Sequence, residues 1–225
     1  MKKLFLASAI ALFGLSNAQI NKGTIYVSGQ VNYKNNKTTI DDFQEKRTGN
    51  TFKISPSVGV FVASNLAVGA SVGYLHSKVT SQTVTNTSNA MYAGSSDISV
   101  KSNLFEIAPF VRKYFTVSDK LYFFGHLEVP IAFGKVNRHY VVVTEYPSIT
   151  TVEEFQFENK STSIGVNVKP GLDYFLNKNL TIEATFGEFG YNNSKEKGVD
   201  GSVENYNFGV NLSSVTFGVK YVFAK

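Results

Sequence analysis

The feature that most constrains this chain is a two-residue alternation of apolar and polar side chains that recurs in eight segments. In the first segment, Ile25, Val27 and Val31 share one parity, whereas Ser28 and Gln30 share the other. Successive side chains of a β-strand point to opposite faces of the sheet, so this period predicts strands with one apolar face. The other segments lie within residues 52–62, 66–74, 105–115, 121–133, 163–174, 180–187 and 215–223. An all-β chain of eight strands follows.

The seventh segment changes parity before it ends. Ile182 and Phe186 occupy the apolar parity, but Phe189 and Tyr191 occupy the other one. One extra residue in a strand reverses the faces of everything after it. We therefore predict a β-bulge near Glu188.

The first eighteen residues have the pattern of a secretory leader. Lys2 and Lys3 precede a short apolar run, and small residues ending at Ala18 supply a cleavage site. The run is too short to cross a bilayer as a helix. We predict a signal peptide over residues 1–18 and a barrel over residues 19–225. Because the chain has no cysteine, disulfides cannot stabilise the exported protein.

The connections between the segments alternate between short and long. This alternation is typical of an antiparallel up-and-down barrel in the outer membrane, with short periplasmic turns and long extracellular loops. The short connections lie at 63–65, 116–120 and 177–179, and the long ones lie near 34–50, 78–97, 136–158 and 192–204.

The polar parity distinguishes a membrane barrel from the alternative, a soluble β-sandwich or lipocalin-like barrel. A soluble barrel would turn many lysines and glutamates outward. Here the polar parity is mainly Gly, Ser, Thr and Asn, with about one or two ionisable residues per strand. We therefore predict a transmembrane eight-stranded antiparallel β-barrel with its apolar parity facing lipid.

The few ionisable residues on the polar parity are expected inside the barrel, where unpaired charge is costly. Their charges balance, so we predict an internal network of ion pairs and, because eight strands enclose little space, a plugged lumen. The cations are Lys53, Arg112, Lys169 and Lys220, and the anions are Glu106, Glu128, Asp173 and Glu183.

The charge and residue content argue against several function classes. Removing Lys2 and Lys3 from 22 basic residues leaves 20 against 17 acidic ones, a net charge of +3 without a basic block. Nucleic acid is therefore not an expected partner. With no cysteine and no two of the three histidines closer than thirteen residues, we predict no metal site. No phosphate-binding loop is present, and we predict no cofactor.

The histidines are the only candidates for catalysis. His126 shares the inward parity with Glu128, which favours a structural hydrogen bond. His76 is followed by Ser77, a possible pair for a lipid-modifying hydrolase, although an interfacial polar role is the simpler interpretation. His139 lies in the third long connection without a partner that the sequence identifies. We therefore predict that the protein is not an enzyme.

The third long connection does not have the composition of a loop. Residues 140–143 and 149–157 are rich in β-branched and aromatic side chains, and Tyr146-Pro147-Ser148 supplies a turn between them. We predict that the two flanking strands continue past the membrane as a projecting hairpin. Such strands have unpaired backbone edges, which can bind extended segments of other proteins.

The last strand resembles the C-terminal assembly signal of outer-membrane barrels. The matching residues are Thr216, Gly218, Tyr221 and Phe223, and Ala224 and Lys225 follow the aromatic residue that usually ends the chain. The resemblance implies that the barrel-assembly machinery reads these positions during insertion.

Together, the leader, the strand count and this last strand are similar to the small OmpA/OmpX-like outer-membrane barrels of Gram-negative bacteria. The resemblance implies an outer-membrane location in contact with lipid and lipopolysaccharide, and projecting strands that serve surface contacts. It also implies that the periplasmic domain of full-length OmpA-type proteins is missing. Our leading hypothesis is a non-enzymatic surface protein for adhesion, envelope integrity or binding of an unknown extracellular partner. The alternatives are a narrow channel and a lipid-A-modifying enzyme.

Overall fold

The computed structural model describes residues 19–40, 44–86, 93–146, 148–209 and 215–223, so the predicted signal peptide lies outside the described residues. Within these ranges, no helix has the length and apolar character needed to cross a membrane. The described strands are β1 (Ile25–Ile40), β2 (Glu45–Ala63), β3 (Leu66–Asn86), β4 (Ala93–Thr116), β5 (Leu121–Glu128), β6 (Ile131–Tyr146), β7 (Ile149–Phe175), β8 (Leu180–Thr185), β9 (Glu188–Glu196), β10 (Val203–Gly209) and β11 (Thr216–Phe223).

These strands occupy eight positions of one antiparallel ring, which confirms the predicted fold class. β5 and β6 are two parts of one strand interrupted before Ile131, since Pro130 has no N–H to donate. β8 and β9 together form the seventh strand position of the ring, and β10 and β11 together form the eighth. The ring closes where β1 pairs with β11, from Ile25 opposite Phe223 to Val31 opposite Phe217.

The predicted bulge lies between β8 and β9. Thr185 is opposite Gly171 of β7, but Phe189 is opposite Val168, so four steps on one strand face three on the other. Gly187 takes up the extra residue with a φ of 83°. The bulge confirms the prediction and turns Phe189 and Tyr191 outward, because the parity of the strand reverses.

The outward face of the ring is an apolar band bounded by aromatic side chains. At its outer boundary, Tyr33 is opposite Phe52, and Phe105 is opposite both Tyr74 and Phe133. On β4 the band extends over about ten residues, which is the length a tilted strand needs to cross a bilayer. Tyrosine and phenylalanine thus supply the aromatic girdle of a chain that has no tryptophan. Outward apolar residues in this band are exposed and include Val31, Ile54, Val72, Ile107, Val166, Ile182 and Val219.

Beyond the girdle, the chain continues as regular strands where we expected loops. β6 and β7 pair without interruption as far as Tyr146 and Ile149, which confirms the projecting hairpin; Pro147 of its turn lies outside the described residues. The interpretation of residues 34–50, 78–97 and 192–204 as loops was wrong for the described residues of these ranges that lie in β1, β2, β3, β4, β9 and β10. β1 and β2 pair as far as Ile40, β3 and β4 as far as Asn86, and β9 pairs with β10. Six strands, β1-β2-β3-β4-β6-β7, therefore form one projecting sheet.

The polarity of the wall reverses at the aromatic girdle. Below it, Phe133 of β6 faces outward and Ala132 is buried inside. Above it, Lys135 and His139 occupy the outward parity, whereas Val136 and Tyr140 occupy the inward one. The outer surface of the projecting sheet therefore faces water, as in a soluble β-sheet. Other inward apolar residues of the sheet include Leu75, Val79, Ile98, Val100, Leu104, Val142, Phe155 and Phe157.

The bulge generates a stability prediction. Gly187→Ala should destabilise the barrel by roughly 1 to 2 kcal/mol, because alanine does not readily adopt a positive φ. The change is measured as the shift in urea midpoint of the protein in detergent. Gly125→Ala is the matched control, since a Cβ at Gly125 would meet no atom within 4 Å. Equal midpoints for the two variants would contradict the assigned role of Gly187.

Candidate functional site

All eight ionisable residues that we expected inside the barrel face the lumen, and the structure joins them as four oppositely charged pairs. Lys53 Nζ lies 2.7 Å from Glu106 Oε1, and Arg112 Nη1 lies 2.5 Å from Glu183 Oε2. Glu128 bonds with Lys169, and Asp173 bonds with Lys220. The strand alternation places each of these side chains, and the ring then brings together partners that are as many as 71 positions apart.

The Arg112–Glu183 pair is the centre of the interior. Both side chains are almost fully buried, so each charge depends on its neighbours for stabilisation. Glu183 accepts a second hydrogen bond from Gln30 Nε2 at 2.8 Å. The Arg112 guanidinium also donates to the Tyr114 hydroxyl and lies 4.3 Å from the centre of the Phe124 ring. Gln30 and Tyr114 were not among the predicted network residues, because the prediction relied on balancing opposite charges and both of these side chains are uncharged.

A second cluster is organised by Glu128. Its carboxylate contacts Lys169 and lies 3.0 Å from His126 Nε2. His126 Nδ1 accepts from Arg112 Nε at 3.1 Å, so Nε2 carries the proton that is donated to Glu128. His126 therefore has the structural hydrogen bond that its spacing favoured. Lys169 also lies 3.3 Å from Glu188. Glu188 was not predicted to be an interior residue, because it faces inward only as a result of the bulge.

The periplasmic half of the lumen is filled by aromatic side chains around the Lys220–Asp173 pair. Lys220 Nζ donates to the Tyr114 hydroxyl at 3.1 Å and lies 5.2 Å from the Tyr26 ring centre. These rings fit because glycines on neighbouring strands leave room for them: a Cβ at Gly59 or Gly171 would overlap Tyr26 or Phe124. The packed cluster comprises Ile20, Tyr26, Phe61, Ala67, Phe110, Tyr114, Tyr122, Phe124 and Val222.

The outer half of the lumen is a cavity of about 390 Å³, so the prediction of a plugged interior holds for only part of the barrel. Gln30, Asn32, Ser55 and Ser71 line one part of its wall together with the Lys53–Glu106 pair. Short polar side chains leave this half unfilled, whereas large rings close the other half. The cavity ends at the layer that contains Arg112 and His126.

The histidine–serine pair considered for catalysis is not assembled. His76 Nδ1 lies 2.7 Å from Asn103 Oδ1 on the outward face, whereas the Ser77 hydroxyl lies 3.1 Å from that of Thr51 on the inward face. Strand alternation separates adjacent side chains in this way. His139, for which the sequence identified no partner, lies 2.6 Å from Glu154 on the projecting hairpin.

The four residues of the C-terminal signal all lie on β11. Thr216 accepts a hydrogen bond from Asn32 Nδ2 at 3.0 Å, and Gly218 lies where a Cβ would crowd Gln30 and Glu183. The rings of Tyr221 and Phe223 are 5.0 Å apart on the exposed outward face. Recognition of these positions by the assembly machinery stays a prediction.

An ion pair fixes the base of the projecting sheet. Arg138 of β6 reaches across β7 to Glu196 of β9, with two nitrogen–oxygen distances of 2.6 Å. Asn159 of β7 donates to the same carboxylate at 3.3 Å. The hydrogen bond from Arg138 lowers the pKa of Glu196, and that bond also raises the pKa of Arg138. The contact holds the end of β9 beside β7.

Above this contact, β7 has a strand partner on one side only. β9 pairs with β7 from Ser161 to Val168, and no described strand pairs with the same side of residues 149–160. On the other side, β6 pairs with all twelve of these residues. The projecting sheet therefore ends in an edge of twelve residues, and only the lowest of them, Lys160, has its carbonyl engaged on this side, by the Lys197 N–H.

The buried pair provides a stability test. Arg112→Met should destabilise the barrel by roughly 3 to 5 kcal/mol, because the substitution leaves the Glu183 carboxylate buried without its cation. Urea midpoints in detergent measure the effect. Arg112→Met combined with Glu183→Gln should recover part of the loss, and Lys37→Met at an exposed position should cause almost none. A midpoint for Arg112→Met equal to that of Lys37→Met would contradict the prediction.

Similarity to known proteins is found among solved structures. A search of curated proteins finds no match. Among solved structures, the chain is similar to the N-terminal β-barrel domain of Pseudomonas aeruginosa OprF, with 10% identity, a TM-score of 0.32 and coverage of 91% of this chain and 100% of that one. It is also similar to the attachment invasion locus protein Ail of Yersinia pestis, with 15% identity, a TM-score of 0.29 and coverage of 90% and 99%.

The family comparison covers almost the whole chain. The family model described as "Outer membrane protein beta-barrel domain" matches residues 5–223. This match places the protein in the bacterial outer membrane, with its apolar band in contact with lipid. The chain belongs to the outer membrane protein beta-barrel domain family.

Proposed function

We propose that this protein is a non-enzymatic surface protein that binds extended segments of partner proteins along its projecting sheet and thereby promotes attachment. The observation that carries the proposal is the unpaired edge of β7 over Ile149–Lys160 within the described structure. An exposed edge offers a row of free N–H and C=O groups, and a bound strand completes their hydrogen bonds.

The edge is neither short nor interrupted, and so lacks two of the features with which proteins block such pairing. Natural edge strands are commonly short, or are interrupted by proline or a bulge. Residues 149–160 contain no proline, and their register with β6 is regular from Ile149 to Lys160. At roughly 3.3 Å per residue, β6 extends about 40 Å beyond Phe133. The edge is thus long, regular and directed away from the membrane.

The interior supports a scaffold role better than transport or catalysis. The aromatic layer around Tyr114 and Phe124 fills the periplasmic half of the lumen, which argues against a conducting channel. His76 and Ser77 lie on opposite faces of β3, which argues against a hydrolase built on that pair. A rigid barrel that anchors a large sheet is the function these features favour.

We also propose that lipopolysaccharide phosphates bind just outside the aromatic girdle. Lys78 and Lys101 are directly opposite each other on the outward face, four residues beyond Tyr74 and Phe105. Like charges in this arrangement are destabilising, and both side chains are exposed. An anion between them would remove the repulsion at the level of the lipid headgroups.

The lysine pair can be tested by adding lipopolysaccharide to barrels in phosphatidylcholine vesicles. Lipopolysaccharide should raise the unfolding temperature of the wild type more than that of Lys78→Gln/Lys101→Gln, and salt should reduce the difference. Lys120→Gln/Lys178→Gln removes the same charge at exposed positions in the periplasmic turns, at the opposite end of the barrel from this girdle. Equal shifts for the wild type and both double variants would refute the phosphate site.

Attachment through the edge can be tested at Gln156. The backbone N–H of Gln156 points to the free side of β7, because Lys160, which has the same parity, accepts from Lys197 on that side. Gln156→Pro should therefore remove a free donor without breaking a hydrogen bond to β6. Cells that express this variant should attach less to a mammalian cell monolayer than cells with the wild type.

Gln156→Ala is the matched control, since it removes the same side chain but keeps the N–H. It should attach like the wild type. Surface levels and heat-modifiable migration of both variants establish that the barrel is present and folded. Equal attachment of the proline and alanine variants would overturn the proposed use of the edge.

A further inference from the structure

We propose that the free edge of β7 pairs with the same edge of a second copy of this protein held in an opposing membrane. The inference rests on the proposed function, since it assigns a partner to the edge. The complex would be a two-fold symmetric, antiparallel joining of two projecting sheets. Four features of the edge point to a second copy: its hydrogen-bonding parity, its direction, its charge pattern and its length.

The hydrogen-bonding parity is defined at the lower end of the edge. The carbonyl of Lys160 accepts from the Lys197 N–H at 2.8 Å on the β9 side, whereas Gly165 N–H donates to Pro130 on the other side. The N–H and C=O of one strand residue point to the same side in an antiparallel sheet, and the side alternates along the strand. The even-numbered residues of the edge therefore present their backbone groups to an incoming strand.

The direction of β7 determines which membrane the second copy occupies. β7 runs from the tip at Ile149 toward the barrel, and it does so in every copy. Two β7 edges side by side in one membrane would run parallel. An antiparallel pair instead requires the second copy to be inverted, as it is in a membrane facing the first. Edge pairing between copies is therefore contact between two surfaces.

Among the registers that pair most of the edge, the charge pattern selects one. Even residues must oppose even residues, so the register can shift only by two positions. If Glu154 faced Glu154 or Glu158 of the other copy, two carboxylates would be directly opposed, which is destabilising. The register that lies between these two registers does not bring any two carboxylates directly opposite each other. It sets Thr151 opposite Asn159, Val152 opposite Glu158, Glu153 opposite Phe157, Glu154 opposite Gln156, and Phe155 opposite Phe155.

The selected register also buries exposed aromatic surface. Phe155 and Phe157 occupy the inward parity of the projecting sheet, yet they are 47% and 52% exposed. The two-fold axis places Phe155 beside its own counterpart, with a Phe157 ring on each side. Removing such rings from water favours association in proportion to the apolar area buried. Glu154 and Glu158 keep their own partners, His139 and Lys135, on the opposite face.

The length of the edge matches this arrangement. β9 begins to pair with β7 at Ser161, and the Lys160 carbonyl already accepts from the Lys197 N–H, so an incoming strand can pair as far as Asn159. In the selected register, Thr151 of the second copy lies opposite Asn159, and the residues nearer its tip lie beyond the paired region. The edge from one copy thus occupies the available edge of the other without displacing β9.

Cysteine cross-linking tests the symmetry, because the chain contains no cysteine. Two vesicle populations carry differently tagged Phe155→Cys protein and are mixed under mild oxidation. Opposed residues in a non-hydrogen-bonded antiparallel pair have Cα atoms about 4.5 Å apart, so we expect disulfide-linked dimers that contain both tags. Val152→Cys is the control: Val152 is more exposed, at 63%, but is opposite Glu158 rather than itself.

The register makes a second cross-link specific. Vesicles with Val152→Cys mixed with vesicles with Glu158→Cys should form mixed dimers, whereas Val152→Cys mixed with itself should not. Equal cross-linking of Val152→Cys and Phe155→Cys with themselves would indicate random collision and overturn the proposal. Dimers that form only within one vesicle population would overturn it as well.

The outcomes separate this inference from the proposed function. If Phe155→Cys forms no dimer between vesicles and Gln156→Pro still abolishes attachment to mammalian cells, the edge binds a different partner and the copy-to-copy pairing is wrong. If Phe155→Cys forms the mixed dimers and Gln156→Pro attaches normally, the pairing stands and attachment to other cells is wrong. Heat-modifiable migration of each variant excludes misfolding as the cause of either result.

Discussion

The structure depends on the requirement that every backbone N–H and C=O within the hydrocarbon has a protein partner. Lipid offers no hydrogen bonds, so a sheet that crosses it must close on itself. The chain meets this requirement by pairing β1 with β11 over residues 25–31. Beyond Val31, water can satisfy the backbone. Within the described residues, β1 there pairs only with β2, and the edge of β7 at residues 149–160 needs no protein partner.

Closing a ring of eight strands creates an interior in which the side chains must fill the space and pair their charges. The two halves of the lumen meet these requirements in different ways. In the periplasmic half, large rings lie over glycines of neighbouring strands and surround the Lys220–Asp173 pair. In the outer half, short hydroxyl and amide side chains leave a polar cavity, and Lys53 and Glu106 on its wall form an ion pair. The Arg112–Glu183 pair lies between the two halves and bonds to groups of both.

Much of this architecture could be predicted from alternation, because parity alone decides which side chains meet inside a closed ring. The change of parity at Phe189 similarly revealed the bulge. Parity cannot reveal an uncharged partner such as Gln30, and it cannot show whether inward side chains fill the space they face. The projecting parts of β1 to β4 and of β9 were taken for loops because their composition is rich in Asn, Ser and Thr. Their strand structure comes from pairing with neighbours distant in sequence, which overrides weak local preference.

The reversal of polarity at the girdle also determines how deeply the barrel lies in the bilayer. Lys135 lies two residues beyond Phe133, and Lys101 lies four residues beyond Phe105. If the protein sank, first Lys135 and then Lys101 would approach the hydrocarbon; if it rose, Phe105 and Phe133 would lose their place at the interface. Both displacements cost free energy, so the height of the barrel is restrained from above and below. A barrel whose loops were merely polar would be restrained by its rim alone. In this chain the polarity of the wall sets the depth of insertion, and it keeps the edge of β7 at a constant distance from the lipid surface.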